Sequence, residues 1–401
     1  MKYIVVLGDG MADEPIEELN GLTPLAYAKT PTLDELSRVS EIGLIHTIPE
    51  GMNPGSDTAN LSVLGYDPKK YYTGRSPLEA LSIGVNMAPT DISFRCNLVT
   101  LSEEEVPYEK RVIIDHSSDE ITTEDAAILL EAVRSALQTE TYKFYTGTSY
   151  RHLLIWEHGE VLELTPPHDV LEQCIEAYIP KDPVLLAMQK KSYEVLSKHP
   201  INLERKKRGL HPANSCWFWG AGTRPSLTSF EEKNKKSGVM VSAVDLLKGI
   251  AVGAGMKNLE IEGANGGLHT NYEGKARGAV DALLKDGYDF AYIHVEAPDE
   301  MGHQGNVKNK VKAIENLDEK VIKVVKEALD QSGEEYRMMV LPDHPTPIRI
   351  RTHTSDPVPY LLYDSSHPKT NPFMYHEKDA SASGNRIEKG YQGIDYLFSD
   401  H

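Results

Sequence analysis

Four short segments carry side chains of the types that bind hard or borderline metal ions. Asp9 stands at the end of an apolar run. Ser56 lies in the Gly/Pro-rich stretch Gly51-Met-Asn-Pro-Gly-Ser56-Asp-Thr-Ala-Asn60, which leads into a helix expected to start at Ser56. Asp299 and His303 are spaced i, i+4, so they share a face if that segment is helical. Asp343 and His344 open a segment that runs through Pro-Thr-Pro-Ile-Arg-Ile-Arg-Thr to His353. Each has a plainer reading: Asp9 as a turn former, Ser56 as a helix cap, Asp299 and His303 as an ion pair, His353 as a histidine beside a sheet edge. Together they supply three carboxylates, three imidazoles and one hydroxyl. That set suits phosphoryl transfer. Mixed carboxylate and imidazole ligands fit Mn²⁺ or Zn²⁺ better than an all-oxygen Ca²⁺ site. Two ions stabilise both the attacking and the leaving oxygen of an in-line displacement. A serine hydroxyl becomes a useful nucleophile only when a base or a metal activates it, and a helix N-terminus favours an incoming phosphate.

The elements around these residues explain how they could meet. Tyr3-Ile-Val-Val-Leu7 reads as a strand buried on both faces and ends in Gly8-Asp9-Gly10. Phe290–Val295 reads as a second strand, followed by a polar loop and a long amphipathic helix from about Val311 to Leu329. Met338–Leu341 is a third strand and runs directly into Asp343. A further helix is expected over Thr32–Ser40. Strands alternating with helices predict an α/β fold with a mostly parallel sheet and a site at the strand C-terminal ends. Between about Asp91 and Phe230 the pattern changes to α+β. Hairpin-like segments are expected at Arg111–Ile114, Arg151–Trp156 and Val161–Leu164, with helices at Thr123–Leu137 and Pro183–Ser197. This middle region reads as an inserted domain. The polar stretch Phe230–Gly238 marks the return crossing, and Arg205-Lys-Lys-Arg208 reads as a solvated surface run.

Composition narrows the function classes. The 401 residues carry 42 Lys+Arg against 60 Asp+Glu, a formal net charge of −18, which argues against general nucleic-acid binding. A small anionic substrate remains compatible, because a few local Arg and Lys can make a positive pocket. Three cysteines offer no disulfide framework, and the run Tyr3–Leu7 is too short for a secretory or membrane-spanning segment. A cytoplasmic protein that does not engage membranes is the expectation. No GxxxxGK[ST] motif is present, which speaks against an ordinary ATP-cradling kinase.

The chain resembles the cofactor-independent phosphoglycerate mutases, archaeal-type branch, of the alkaline phosphatase superfamily. The motifs that carry the resemblance are Leu7-Gly-Asp-Gly-Met-Ala-Asp13, Pro54-Gly-Ser-Asp-Thr-Ala-Asn60 with Leu64-Gly-Tyr-Asp67, Gly74-Arg-Ser-Pro-Leu-Glu-Ala80, and Asp343-His-Pro-Thr-Pro347 through His353-Thr-Ser-Asp-Pro-Val-Pro359. The resemblance implies one metal on Asp9, Ser56, Asp343 and His344, and a second on Asp299, His303 and His353. Mn²⁺ is the first choice, with Zn²⁺, Co²⁺ or Mg²⁺ as alternatives. It implies that Ser56 carries the phosphate between the two glycerate hydroxyls with no bisphosphoglycerate. It also implies an alkaline phosphatase-like core made of residues 1–88 and 237–401, with residues 89–236 as a substrate-binding lid that keeps water from the phosphoserine.

The substrate's phosphate and carboxylate call for Arg or Lys. The candidates are Lys275, Arg224, Arg151 and Arg95, with Lys275 favoured by loose alignment to a family lysine. One departure stands out. Archaeal members tend to read Asp-Tyr-Ser-Ala-Gly-His-Ile where this chain has Asp115-His-Ser-Ser-Asp-Glu-Ile121, so Glu120 replaces an expected histidine, with His116 nearby. Alternatives to the mutase are a metal-dependent phosphotransferase on another acceptor (homoserine kinase-like), a phosphatase of the same superfamily, or a non-catalytic relative. The last would be expected to have lost a ligand or the nucleophile. The sequence leaves the oligomeric state open.

Overall fold

The computed structural model describes residues 1–400. Its chain divides into two compact units, residues 1–72 with 226–401 and residues 73–225.

The first unit is built on an eight-stranded sheet with the strand order 386–387, 41–45, 358–364, 336–341, 2–8, 290–295, 238–241, 257–258. The opening strand, Lys2–Gly8, is central. It pairs in parallel with Phe290–Val295 on one side and Tyr336–Leu341 on the other. Because helices cover both faces of a parallel sheet, every residue of this strand after Lys2 is buried, which is why it reads as an unbroken β-branched run. Only Val358–Asp364 runs antiparallel to its neighbours. The register sets Leu7 opposite both His294 and Leu341. Three adjacent strands therefore end at the same level, and their C-terminal loops start side by side.

The amphipathic helix expected from Val311 to Leu329 extends from Val307 to Ser332, interrupted by a π turn over Asp318–Ile322. That wide turn lies where the buried Asp318 carboxylate accepts the backbone N–H groups of Thr32 and Leu33, at the start of the helix Pro31–Ser37. Val311, Ile314, Leu317, Val321 and Val325 pack into the core under the sheet.

The second unit has a five-stranded antiparallel sheet. Ile92–Leu101 lies at its centre and pairs with Ile113–Asp115, Arg151–Trp156 and Ser215–Thr223, while Tyr142–Thr148 pairs with Arg151–Trp156. Helices Thr123–Leu137 and Pro183–Leu196 cover it. The expected strand at Val161–Leu164 does not form. Leu162 and Leu164 pack against the core cluster beneath the sheet, so side-chain burial produced the alternation without any strand ladder.

Candidate active site

Asp9 follows the opening strand, and its N–H donates to the Val295 carbonyl at 2.9 Å, which ties the ends of two neighbouring strands together. Gly10 has φ +61° because the chain must turn here in almost no space. A Cβ at Gly10 would sit 2.4 Å from Thr346 Oγ1 and 2.6 Å from Asp299 Oδ1. Asp299 lies in the first turn of the helix Ala297–His303, which follows the strand Phe290–Val295. Asp343 and His344 come two and three residues after the strand Tyr336–Leu341. Ser56 is the first residue of the helix Ser56–Val63, with Gly55 as its cap.

The side chains converge. Ser56 Oγ is 3.1 Å from His344 Nε2. The same nitrogen is 3.3 Å from Asp343 Oδ2 and 3.5 Å from Asp9 Oδ1. Asp299 is 3.1 Å from His303 Nε2 and 3.2 Å from His353 Nε2, and those two nitrogens are 3.0 Å apart. His344 and His353 stack with centroids 3.8 Å apart. Asp299, His344 and His353 have ligand atoms close enough to share one ion, and so do Asp9, His294 and Asp343. All seven residues expected from the sequence thus come together within the first unit. His344 touches both groups.

Hydrogen bonding on the far side of each ring settles which nitrogen faces inward. His303 Nδ1 meets the Arg351 carbonyl at 2.9 Å and His353 Nδ1 meets the Pro54 carbonyl at 2.8 Å. A carbonyl only accepts, so Nδ1 carries a proton in both rings, and Nε2 is the nitrogen that faces the cluster and would give its lone pair to an ion in place of a second proton. His344 Nδ1 lies against the Pro345 carbonyl and Thr346 Oγ1, and its hydrogen bonds point the same way.

The electrostatics suit a divalent cation. Burial, joined by the carboxylates of Asp343 and Asp299, pushes Asp9 well above the usual carboxylate range, and the buried Asp9 Oδ1 has no hydrogen-bond partner. Burial also opposes ionisation of Asp299, but the hydrogen bonds from His303 and His353 outweigh it and hold Asp299 well below its ordinary range. The bond to Asp299 raises His303 to about 9. Buried carboxylates crowded with inward-facing imidazole nitrogens form a donor set that divalent ions would neutralise. The residues present fit such ions.

The expected substrate anchors separate into three environments. Arg95 is buried in the second unit, its Nε 3.1 Å from Glu79 and its guanidinium 4.4 Å above the Trp219 ring. Arg75 binds the other oxygen of Glu79 at 3.1 Å. Burial alone would raise Glu79, yet the positive charges of Arg95, Arg75 and Arg151 hold it low. Arg151 is exposed and stacks on Tyr150. Arg224 is exposed. Lys275 is fully buried in the first unit, where Nζ donates to the His294 carbonyl at 3.0 Å and burial lowers it to about 8. Glu120 is exposed and ends three consecutive left-handed residues, Ser118, Asp119 and Glu120. His116, by contrast, is half-buried with its ring against Tyr150 and His168.

A family model described as 2,3-bisphosphoglycerate-independent phosphoglycerate mutase matches residues 37–202. A probable 2,3-bisphosphoglycerate-independent phosphoglycerate mutase of Geobacter sulfurreducens is 45% identical over 99% of both chains. The enzyme of that name from Methanosarcina barkeri is 48% identical over 90% of both. The chain belongs to this family.

A solved structure of a Pyrococcus horikoshii protein superposes with a TM-score of 0.82 at 31% identity, covering 100% of this chain and 98% of that one. The cofactor-independent phosphoglycerate mutase of Thermoplasma acidophilum gives 0.64 at 28% identity, with 99% of each chain covered. Within this family frame, three residues to which sequence reasoning gave no role become prominent. His294 Nε2 donates to Asp9 Oδ2, while its Nδ1 accepts from Ser242 Oγ. Asn60 donates to Asp343 Oδ2 and to the Ser56 carbonyl, and accepts from the Tyr292 hydroxyl. Arg75 completes the arginine group around Glu79. The signals in the sequence were a histidine inside an apolar strand, the i, i+4 spacing of Arg75 and Glu79, and the quoted motifs that contain Asn60 and Arg75.

Proposed function

We propose that this protein interconverts 3-phosphoglycerate and 2-phosphoglycerate through a phosphoserine at Ser56, without bisphosphoglycerate. The observation that carries this reading is Ser56 Oγ at the start of its helix, 3.1 Å from His344 Nε2, in a chain of this mutase family. Asp9, Ser56, Asp343 and His344 would hold one divalent cation, and Asp299, His303 and His353 the other. Mn²⁺ is proposed first, with Zn²⁺, Co²⁺ or Mg²⁺ as alternatives. Such ions supply charge neutralisation for the transferring phosphoryl group.

Ser56 Oγ attacks phosphorus in line with the ester oxygen, and the phosphorus–ester bond breaks as the serine ester forms. Ser56 gives up its hydroxyl proton in this step and the freed glycerate oxygen takes one up, so no proton is gained or lost overall. The reverse step starts from the neighbouring hydroxyl and restores Ser56. The first turn of the Ser56 helix favours the incoming anion. Arg95, Arg75 and Arg151 are proposed to hold the substrate's carboxylate or phosphate, as bidentate guanidinium groups do. Arg224 and Lys275 remain candidates, Lys275 with its amine already engaged by a carbonyl. Residues 89–236 are proposed to act as the lid, and the cytoplasm is the proposed compartment. Because Glu120 is exposed and His116 instead lies among the aromatic and basic groups, no feature of that loop favours a different acceptor.

An enolase-coupled assay on metal-stripped protein tests the reading, with 3-phosphoglycerate, added Mn²⁺ and no bisphosphoglycerate. Turnover should return with Mn²⁺ and vanish in Ser56→Ala. Free phosphate in place of 2-phosphoglycerate would make the enzyme a phosphatase. The absence of both products would exclude glycerate as the acceptor.

A further inference from the structure

Lys310 is completely buried on the helix Val307–Leu317. Its ammonium group has three acceptors. Asp13 Oδ2 lies at 2.9 Å, the Thr346 carbonyl at 2.9 Å and the Ala12 carbonyl at 3.3 Å. Removing an ammonium from water costs several kcal/mol even when it is paired, so an apolar residue would pack this space at less cost. What the charge adds is connection. Ala12 lies in the loop that carries Asp9, and Thr346 lies in the loop that carries Asp343 and His344.

The two loops are joined at this point and nearby. The Thr346 N–H donates to the Ala12 carbonyl at 3.2 Å, and Asp13 accepts the Ile348 N–H. Thr346 then reaches into the site. Its hydroxyl donates to Asp299 Oδ1 at 2.5 Å and faces His344 Nδ1 at 3.2 Å. It has almost no freedom to move, since a Cβ on Gly302 would lie 2.7 Å from its carbonyl oxygen. One threonine thus contacts a member of each expected ligand set, and Lys310 holds its backbone.

We propose that Lys310, paired with Asp13, is a positioning residue that acts through Thr346 to fix Asp299 and His344 for cation binding. This rests on the metal-site reading above. Outer partners of this kind affect metal affinity by about 10–100-fold.

The test is Mn²⁺ binding to the full-length, metal-stripped protein, read by the loss of the free-ion EPR signal. Thr346→Val keeps the shape and removes the hydroxyl, and Thr346→Ser restores it. Lys310→Met alone would strand a buried carboxylate and could unfold the chain. The double variant Asp13→Asn with Lys310→Met removes both charges, and circular dichroism checks its fold. Thr346→Val should bind Mn²⁺ about 10-fold or more weakly, with Thr346→Ser back at the wild-type value. The folded double variant should also bind more weakly. Wild-type affinity in Thr346→Val overturns the role of Thr346, and wild-type affinity in the double variant overturns that of Lys310. A double variant that fails to fold would assign the Lys310–Asp13 pair to folding and overturn its role in positioning the site. If wild-type protein binds no Mn²⁺, the metal-site reading itself falls. If it binds Mn²⁺ but has no mutase activity, only the proposed reaction falls.

Discussion

His294 Nε2 donates a 2.7 Å hydrogen bond to Asp9 Oδ2, and both side chains are buried where two parallel strands end. An ionised Asp9, the form a cation would favour, only accepts, so this bond then assigns the imidazole proton to Nε2 and leaves Nδ1 to accept from Ser242. Burial lowers His294 to about 3, so it is a neutral donor that orients Asp9 and leaves Oδ1 free for a cation.

His294→Leu keeps comparable bulk and removes that donor. The expected result is Mn²⁺ affinity about 10–100-fold weaker in a protein that still folds, measured by titration calorimetry. Unchanged affinity would mean that Asp9 is held well enough by other contacts.

Asn60 joins three groups: Asp343, the Ser56 carbonyl and Tyr292. Asn60→Ala leaves the buried Tyr292 hydroxyl and Asp343 Oδ2 each short of a partner, which costs about 1–3 kcal/mol for an unsatisfied buried group. Urea unfolding of the metal-free protein should show that loss. A change within error of zero would show that water or a shifted side chain replaces the amide.

Much of this site could be read from the sequence because its residues sit at strand ends, where a polar side chain interrupts an apolar run. Asp9, Asp299 and Asp343 are of that kind, and the Gly/Pro-rich lead-in marked Ser56. His294 was hidden for the opposite reason: in Phe-Ala-Tyr-Ile-His-Val it occupies a position that strand periodicity assigns to the core. Lys310 was hidden on a helix whose apolar face drew attention to Val311 and Ile314. Lys275 has the residue type of an anion anchor, but only the packed helix Tyr272–Leu284 reveals its burial. Val161–Leu164 misled in a further way, since an alternating pattern records burial on one side and does not require a partner strand.

Acid stability offers a test in the second unit. Burial would raise Asp115, but the N–H groups of Asp119 and Ser117 and the contact with His211 outweigh it and bring the carboxyl to about 2. A carboxyl lowered in the folded state adds stability above its unfolded value of about 3.8. That contribution is lost as pH falls through about 2. Asp115→Asn should therefore be less stable than wild type at pH 5, with the two unfolding curves converging near pH 2. A constant difference between the curves over that range would contradict the assignment.

Arg151 is exposed, so replacing it should leave the fold intact. Arg151→Ala should raise KM for 3-phosphoglycerate about tenfold, the scale of one charge-assisted hydrogen bond, with little change in Tm. An unchanged KM would remove Arg151 from the substrate site and leave Arg75 and Arg95.

The central claim is that Ser56 carries the phosphate. Mn²⁺-loaded protein should be mixed with 3-phosphoglycerate labelled on phosphorus, quenched in acid within the first turnovers, digested and mapped. The account predicts label on the peptide containing Ser56 and none in Ser56→Ala. Active enzyme that never labels Ser56, or that labels another residue, would contradict it.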